Sequence, residues 1–364
     1  MTPVRDVAIV GAGLLGLAAG HALAARGRDV VILEQADVGH PGSGSKGSAR
    51  IFRLGYPDPF YVAAARQARD RWHELEARSG SRILQPAPHL TFGNGLRGVH
   101  DAMTAAGAPS QLLQKAEVAE RFPALRTDGP ALLEPDSAVI AADEALTVLA
   151  AGVPEIRPGV RVIRLGDDGR EVTLHTSAGA VAARTAVITA GPWSSGLLAS
   201  VSVAVPGRPT LEQVAYLRPS GQDDGPVFIS HGEQAPYGLP VPGSRLYKIG
   251  IHQSGTATDP DAQSQGMDER LAARLAEVAQ RHLPGYHPEP VTTERCIYDN
   301  TPDEDFIIDR IGNIVVGCGT SGHGFKFGPL LGEWLADLAT RPDSVLADDV
   351  PRRRFSVRRF GRLD

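Results

Sequence analysis

Apolar runs and amphipathic stretches alternate along the 364 residues. Val7-Ala8-Ile9-Val10 reads as a short strand that ends at Gly11-Ala12-Gly13-Leu14-Leu15-Gly16, and residues 15–25 have helical composition. Val30-Val31-Ile32-Leu33 predicts a second strand closing on Glu34, so the glycines sit in a βαβ unit with an acid about 20 residues beyond them. Such glycines let the turn close and the backbone approach a pyrophosphate held at the positive end of the helix, while Glu34 can accept hydrogen bonds from a ribose. Dinucleotide binding is the expectation. Gly42-Ser43-Gly44-Ser45-Lys46-Gly47-Ser48 adds a donor-rich loop that nicotinamide-type units do not need, followed by Ala49-Arg50-Ile51-Phe52-Arg53.

Further along, residues 58–78 predict an amphipathic helix, and 86–130 mix short strand and helix signals without a chemical motif. Val160-Arg161-Val162-Ile163 and Glu171-Val172-Thr173-Leu174 alternate as strands, and Ala186-Val187-Ile188-Thr189 runs into Ala190-Gly191-Pro192-Trp193, where the dinucleotide domain resumes. Residues 211–251 read as antiparallel strands with Pro and Gly turns, and 267–282 as a helix. Ile314-Val315-Val316-Gly317 and a helix over 329–338 close the pattern with another strand-turn-helix.

Composition narrows the function classes. With a formal net charge of −5 and one basic run, Arg352-Arg353-Arg354, that reads as a solvated tail, no cationic face for nucleic acid is apparent. The apolar stretch 7–25 follows an acidic residue and is broken by glycines and His21, so it reads as neither a signal peptide nor a membrane span. Two cysteines, Cys296 and Cys318, give no disulfide framework and point to a reducing cytoplasm. Of the 37 basic residues only Lys46, Lys115, Lys248 and Lys326 are lysines. Where arginine is the default cation, a retained lysine hints at a place for a compact, titratable ammonium.

Near the C-terminus, Cys296-Ile297-Tyr298 leads to Thr301-Pro302-Asp303-Glu304-Asp305-Phe306-Ile307-Ile308-Asp309 and then Gly319-Thr320-Ser321-Gly322-His323-Gly324-Phe325-Lys326-Phe327. With the N-terminal fingerprint and Arg50-Ile51-Phe52-Arg53, these closely resemble the monomeric sarcosine oxidase family, a group that includes N-methyltryptophan and pipecolate oxidases within the D-amino-acid oxidase superfamily. The resemblance implies an FAD enzyme in which Cys296 holds the flavin through a thioether, with a buried apolar filler as the lesser alternative because Tyr298 and the downstream run also match; Cys318, without that context, reads as filler. It implies a substrate carboxylate bound by Arg53 and Lys326, and Lys248 near the flavin as the oxygen-activating cation. Lys248, Gly250 and His252 fall on one face of a strand. His252, Tyr237, Tyr298 and Arg50 match active-site positions, although each alone would read as a core, interfacial or surface residue. Cofactor contacts are expected from Gly11, Gly13, Leu14, Leu15, Gly16, Glu34, Gln35, Ser45, Lys46, Ser48, Arg50, Val162, Ala190, Gly191, Trp193, Cys296, Gly322, His323, Gly324, Phe325 and Lys326, with no metal.

The fold expected is α/β in an α+β, two-domain form: a Rossmann-like FAD-binding domain (1–80, 146–205 and 295–364) with an interrupted substrate domain (81–145 and 206–294) on a largely antiparallel sheet. The activity expected is oxidation of a secondary or cyclic amine or amino acid to an imine by a monomer that uses O2 and releases H2O2, with neither nucleic acid nor membrane as partner. Lys46 stands where relatives often have histidine, so a larger biosynthetic intermediate is also compatible. A dehydrogenase with another electron acceptor and a non-catalytic flavin-binding protein are the other readings.

Overall fold

Val7 to Val10 and Val30 to Leu33 are buried without a polar interruption, the pattern of strands covered on both faces. In the computed structural model, which describes residues 4–221, 225–232, 234–263, 266–341 and 353–361, these runs form the strands Arg5–Val10 and Val30–Leu33, paired in parallel. The strand Gly179–Ile188 lies parallel to Arg5–Val10 on its other side, and Ile314–Cys318 lies parallel to the end of Gly179–Ile188. Ile156–Arg157 and the antiparallel strands Val162–Asp167, Val172–Thr176 and Ile307–Ile311 complete this eight-stranded sheet. Helices Leu14–Ala25 and Gly328–Thr340 share a hydrophobic core with one of its faces.

A second, nine-stranded sheet contains Arg208–Leu217, Pro236–Pro240, Tyr247–Ile251 and Thr292–Asn300 and has one parallel contact, between His89–Gly93 and Val227–His231. The largely antiparallel expectation is met. Thr292–Asn300 pairs with Arg208–Leu217 over its whole length, so Cys296 approaches the interior from the second sheet, although the sequence reading divides the chain at 295. Between the two sheets, Ala49–Phe52 pairs with Ala138–Ala141 in a three-stranded sheet, with Leu84–Pro86 on its other side.

The long helix is Pro59–Ser79, begun by an Asp58 side chain that accepts from Phe60 N and ended at Gly80 with φ 73°. Its Trp72 is fully buried and donates from Nε1 to Lys326 O at 2.7 Å. That burial stabilises by about 4–6 kcal/mol, taking 150–250 Å² of indole surface. The helix expected from 267 begins at Glu269 because the Asp268 side chain caps it, accepting from Arg270 N and Leu271 N. One expectation is corrected: Arg354 is no solvated tail. Its side chain is three-quarters buried, and its guanidinium pairs with Asp305 at 2.8 Å and Asp58 at 2.5 Å and lies over Tyr61. Arg352 lies outside the described residues.

Candidate active site

The turn after the first strand is closed by backbone contact. Gly11 has φ 96°, and a Cβ there would lie 2.6 Å from Thr189 O; a Cβ at Gly16 would lie 1.9 Å from Gly11 O. Only glycine permits that approach. The helix Leu14–Ala25 therefore starts at the strand's end, with no acidic side chain in its first turn to neutralise its positive pole. Ser45 Oγ accepts from Leu14 N at 2.9 Å, and the buried Glu34 accepts from Ala12 N at 2.7 Å and Ala36 N at 3.0 Å. Each carboxylate oxygen keeps a second lone pair for a ligand hydroxyl.

From this turn a single cavity of about 1070 Å³ runs into the interior. Gly11, Gly13, Leu14, Leu15, Glu34, Gln35, Ser45 and Lys46 line one part; Val162, Ala190, Gly191 and Trp193 line a side; Cys296, Tyr298, Lys248, Tyr237, His252, Arg50, Arg53 and Gly322, His323, Gly324, Phe325 and Lys326 line the rest. Gly16 and Ser48 lie behind the wall, Gly16 against Gly11 and Ser48 beside the Tyr216 hydroxyl. The volume exceeds that of an ordinary small-ligand pocket, which suits a dinucleotide together with a small substrate.

At the inner end the cations dominate. Arg53 lies 4.0 Å over the Tyr56 ring, and its buried Nη1 has no hydrogen-bond partner among the described residues. Lys326 Nζ donates to Tyr56 Oη at 2.9 Å and to His323 O at 2.7 Å. Burial and the neighbouring Arg53 hold the Lys326 ammonium well below its ordinary range. An anion arriving between the two would satisfy the free Arg53 nitrogen and favour the charged lysine.

Lys248 is likewise buried and donates to Ala49 O at 3.2 Å; burial first, then Arg50, lower it to about 7. Cys296 is half-buried and free; burial pushes its thiol up, while Lys248 and Arg50 pull it down. Burial outweighs the two cations, so the thiol stays above its ordinary range, and Lys248 and Arg50 offset part of that cost. Arg50 stacks 5.3 Å over Phe325 and donates to Ala49 O, Gly44 O and Lys46 O, so its hydrogen bonds go to the loop backbone.

Lys248 in the strand Tyr247–Ile251 and His252, one residue past its end, line the same cavity, but Gly250 between them serves another purpose. A Cβ at Gly250 would lie 2.4 Å from the Tyr237 ring, so the absent side chain is the space that tyrosine occupies. Gly322, with φ 77°, is related to Tyr298 in the same way: its Cβ would fall 2.1 Å from that ring. His252 packs against Tyr298 at 5.7 Å, and burial, followed by the charges of Lys326 and Arg53, lowers it. Three residues escaped the sequence reading. Tyr56 follows Arg53 by three positions and was within reach; His231, lowered to about 4 by burial and Arg53, and the buried Glu134 come from strands far away in the chain, with no local signal.

The family described as FAD dependent oxidoreductase matches residues 6–338. Peroxisomal sarcosine oxidase of Mus musculus is 33% identical over 98% of this chain and 97% of that protein. Monomeric sarcosine oxidase of Bacillus sp. (strain NS-129) is 31% identical over 92% of each. The structure of NikD, an unusual amino acid oxidase essential for nikkomycin biosynthesis, superposes with a TM-score of 0.88 at 25% identity over 98% of both chains.

Proposed function

The chain belongs to the FAD dependent oxidoreductase family, and from that premise we propose that it oxidises a secondary or cyclic amine carrying a carboxylate, turning C–N into C=N while O2 becomes H2O2. Its chemistry is the FAD-dependent oxidation of an amine or amino acid, in keeping with sarcosine oxidases that match nearly its whole length. Bound FAD supplies the two-electron acceptor for the C–H beside nitrogen and returns the electrons to O2.

The observation that carries the substrate class is the pair of buried cations on one tyrosine: Arg53 with an unpaired nitrogen and Lys326 hydrogen-bonded to the Tyr56 hydroxyl. A carboxylate is the anion whose fork matches a guanidinium, and it gives the lysine the counter-ion it lacks. Tyr237, Tyr298 and His252 wall the cavity around it and exclude water; His252, with its lowered pKa, accepts hydrogen bonds there without adding a third charge. The turn Gly11 to Gly16, Glu34 and Ser45 suit the pyrophosphate and ribose of the cofactor, and Cys296 Sγ suits its covalent attachment. Lys248 offers a buried positive charge to oxygen as it takes up electrons.

The test is peroxide release with sarcosine, other N-methyl amino acids, proline, pipecolate and glycine. Activity on amines lacking the carboxylate, at equal efficiency, would refute the anchor; anaerobic bleaching without peroxide would make the protein a dehydrogenase. For the attachment, acid-precipitated protein should stay yellow and Cys296→Ser should release its flavin; release from the unmodified protein would refute it.

A further inference from the structure

Beneath the two cations lies a carboxylate for which the chemistry above has no use. Glu134 ends the strand Ala131–Glu134 and is 1% exposed. In the antiparallel register it stands opposite His89, whose Nδ1 is 2.8 Å from Glu134 Oε1. The other oxygen, Oε2, accepts from two consecutive backbone amides, Leu54 N and Gly55 N, each at 2.9 Å. Those amides belong to the short link between Arg53 and Tyr56. A Cβ at Gly55 would lie 2.3 Å from Glu134 Oε1, so the chain passes as near to the carboxylate as glycine allows. A buried ion is costly to keep, and this one is held ionised by His89 and Arg53 against its burial, well below the ordinary carboxylate range at about 2.

We infer that Glu134, braced by His89, is a positioning residue for substrate binding: it clamps the amides of Leu54 and Gly55 so that the Arg53 guanidinium and the Tyr56 hydroxyl, on either side of them, converge with Lys326 on one anion. This rests on the carboxylate-anchor reading. The clamp acts through reach. Glu134 itself faces backbone, and the group that meets the substrate is Arg53, stacked on Tyr56 at 4.0 Å. Shortening the side chain by one carbon–carbon bond, about 1.5 Å, draws the carboxylate away from both amides and frees the link that carries the anchor.

The experiment uses the flavin-containing protein and 2-furoate, a planar carboxylate with no oxidisable amine, titrated by flavin absorbance and by calorimetry, beside steady-state kinetics on the best amine substrate. Glu134→Asp is expected to raise the furoate Kd and the substrate KM at least tenfold, with kcat within about threefold of the unmodified protein. Glu134→Gln keeps the reach, since its carbonyl accepts both amides and its amide nitrogen stays beside the His89 ring, and is expected to bind furoate within about threefold. Gly55→Ala, which displaces the carboxylate, is expected to behave as Glu134→Asp. Unchanged furoate affinity in Glu134→Asp, or equal losses in the Asp and Gln variants, would overturn the clamp while leaving the anchor intact. No furoate binding by the unmodified protein would overturn the anchor and the clamp with it.

Discussion

Replacing Arg354 with methionine isolates a connection that crosses the whole chain. The guanidinium donates through Nε and Nη2 to both oxygens of Asp305, each at 2.8 Å, and through Nη1 to Asp58 at 2.5 Å. Asp58 is also the cap of Pro59–Ser79, and Tyr61 donates to Asp305 Oδ1 at 2.7 Å while stacking on Tyr56 at 5.1 Å. Methionine keeps an apolar stem over Phe60 and Tyr61 but removes the three charged hydrogen bonds. A hydrogen bond to a charged group contributes about 1.5–3 kcal/mol when dry. The partial exposure of Arg354 and Asp58, 24% and 38%, lowers the expected total to about 2–3 kcal/mol. At about 1.3 °C per kcal/mol for a chain of 364 residues, the apparent Tm should fall by about 3–4 °C. Calorimetric scans at one rate and flavin content measure this, and Arg354→Lys, which keeps the charge without the fork, should recover part of the loss. A Tm within about 1 °C of the unmodified protein would refute the reasoning and return Arg354 to the role of a surface charge.

Lys248→Met should leave anaerobic flavin reduction within a few-fold and slow reoxidation by O2 by two to three orders of magnitude, since a charge 4 Å away at an effective dielectric of 20 is worth about 4 kcal/mol; stopped-flow traces with equal reoxidation rates would remove Lys248 from oxygen chemistry. Asp299 is raised from 3.8 to about 6 by burial, so the unfolded chain ionises first. Stability should decline between those values as pH rises, with no such cost below 3.8; Asp299→Asn should therefore be the more stable protein at pH 8, by about 3 kcal/mol at most, and gain nothing at pH 3.5. Thermal melts at the two pH values check the sign. Gly322→Ala must displace the Tyr298 ring and strain a left-handed backbone, and is expected to raise KM sharply while sparing flavin attachment at Cys296, read from the colour of acid-precipitated protein.

The opening βαβ unit was legible because each signal is local: uninterrupted apolar strands, glycines at the turn and an acid at the second strand's end. Asp58 and Asp268 announce their helices by capping chemistry, although the register of the second was read two residues early. The site residues were legible only as a resemblance, since nothing adjacent in sequence says that Lys248 and Cys296 share a cavity. Arg354 was misread for the same reason. Its partners Asp58 and Asp305 stand 296 and 49 positions away, and a basic run shows its charges but hides whom they meet.

What the sequence determined by itself is the cofactor class and the elements that present it: period, turn glycines and caps act over a few residues and need no partner to be read. What the tertiary structure decided is which groups are dry together. Two sheets and the small one between them bring Arg53, Lys326 and Tyr56 into contact and set Glu134 beneath the link that joins the first to the third. Burial is a property of the assembled chain, and burial turns ordinary surface residue types into a cationic pocket with an unpaired nitrogen, a lysine held well below its ordinary range and a carboxylate that holds the backbone in place.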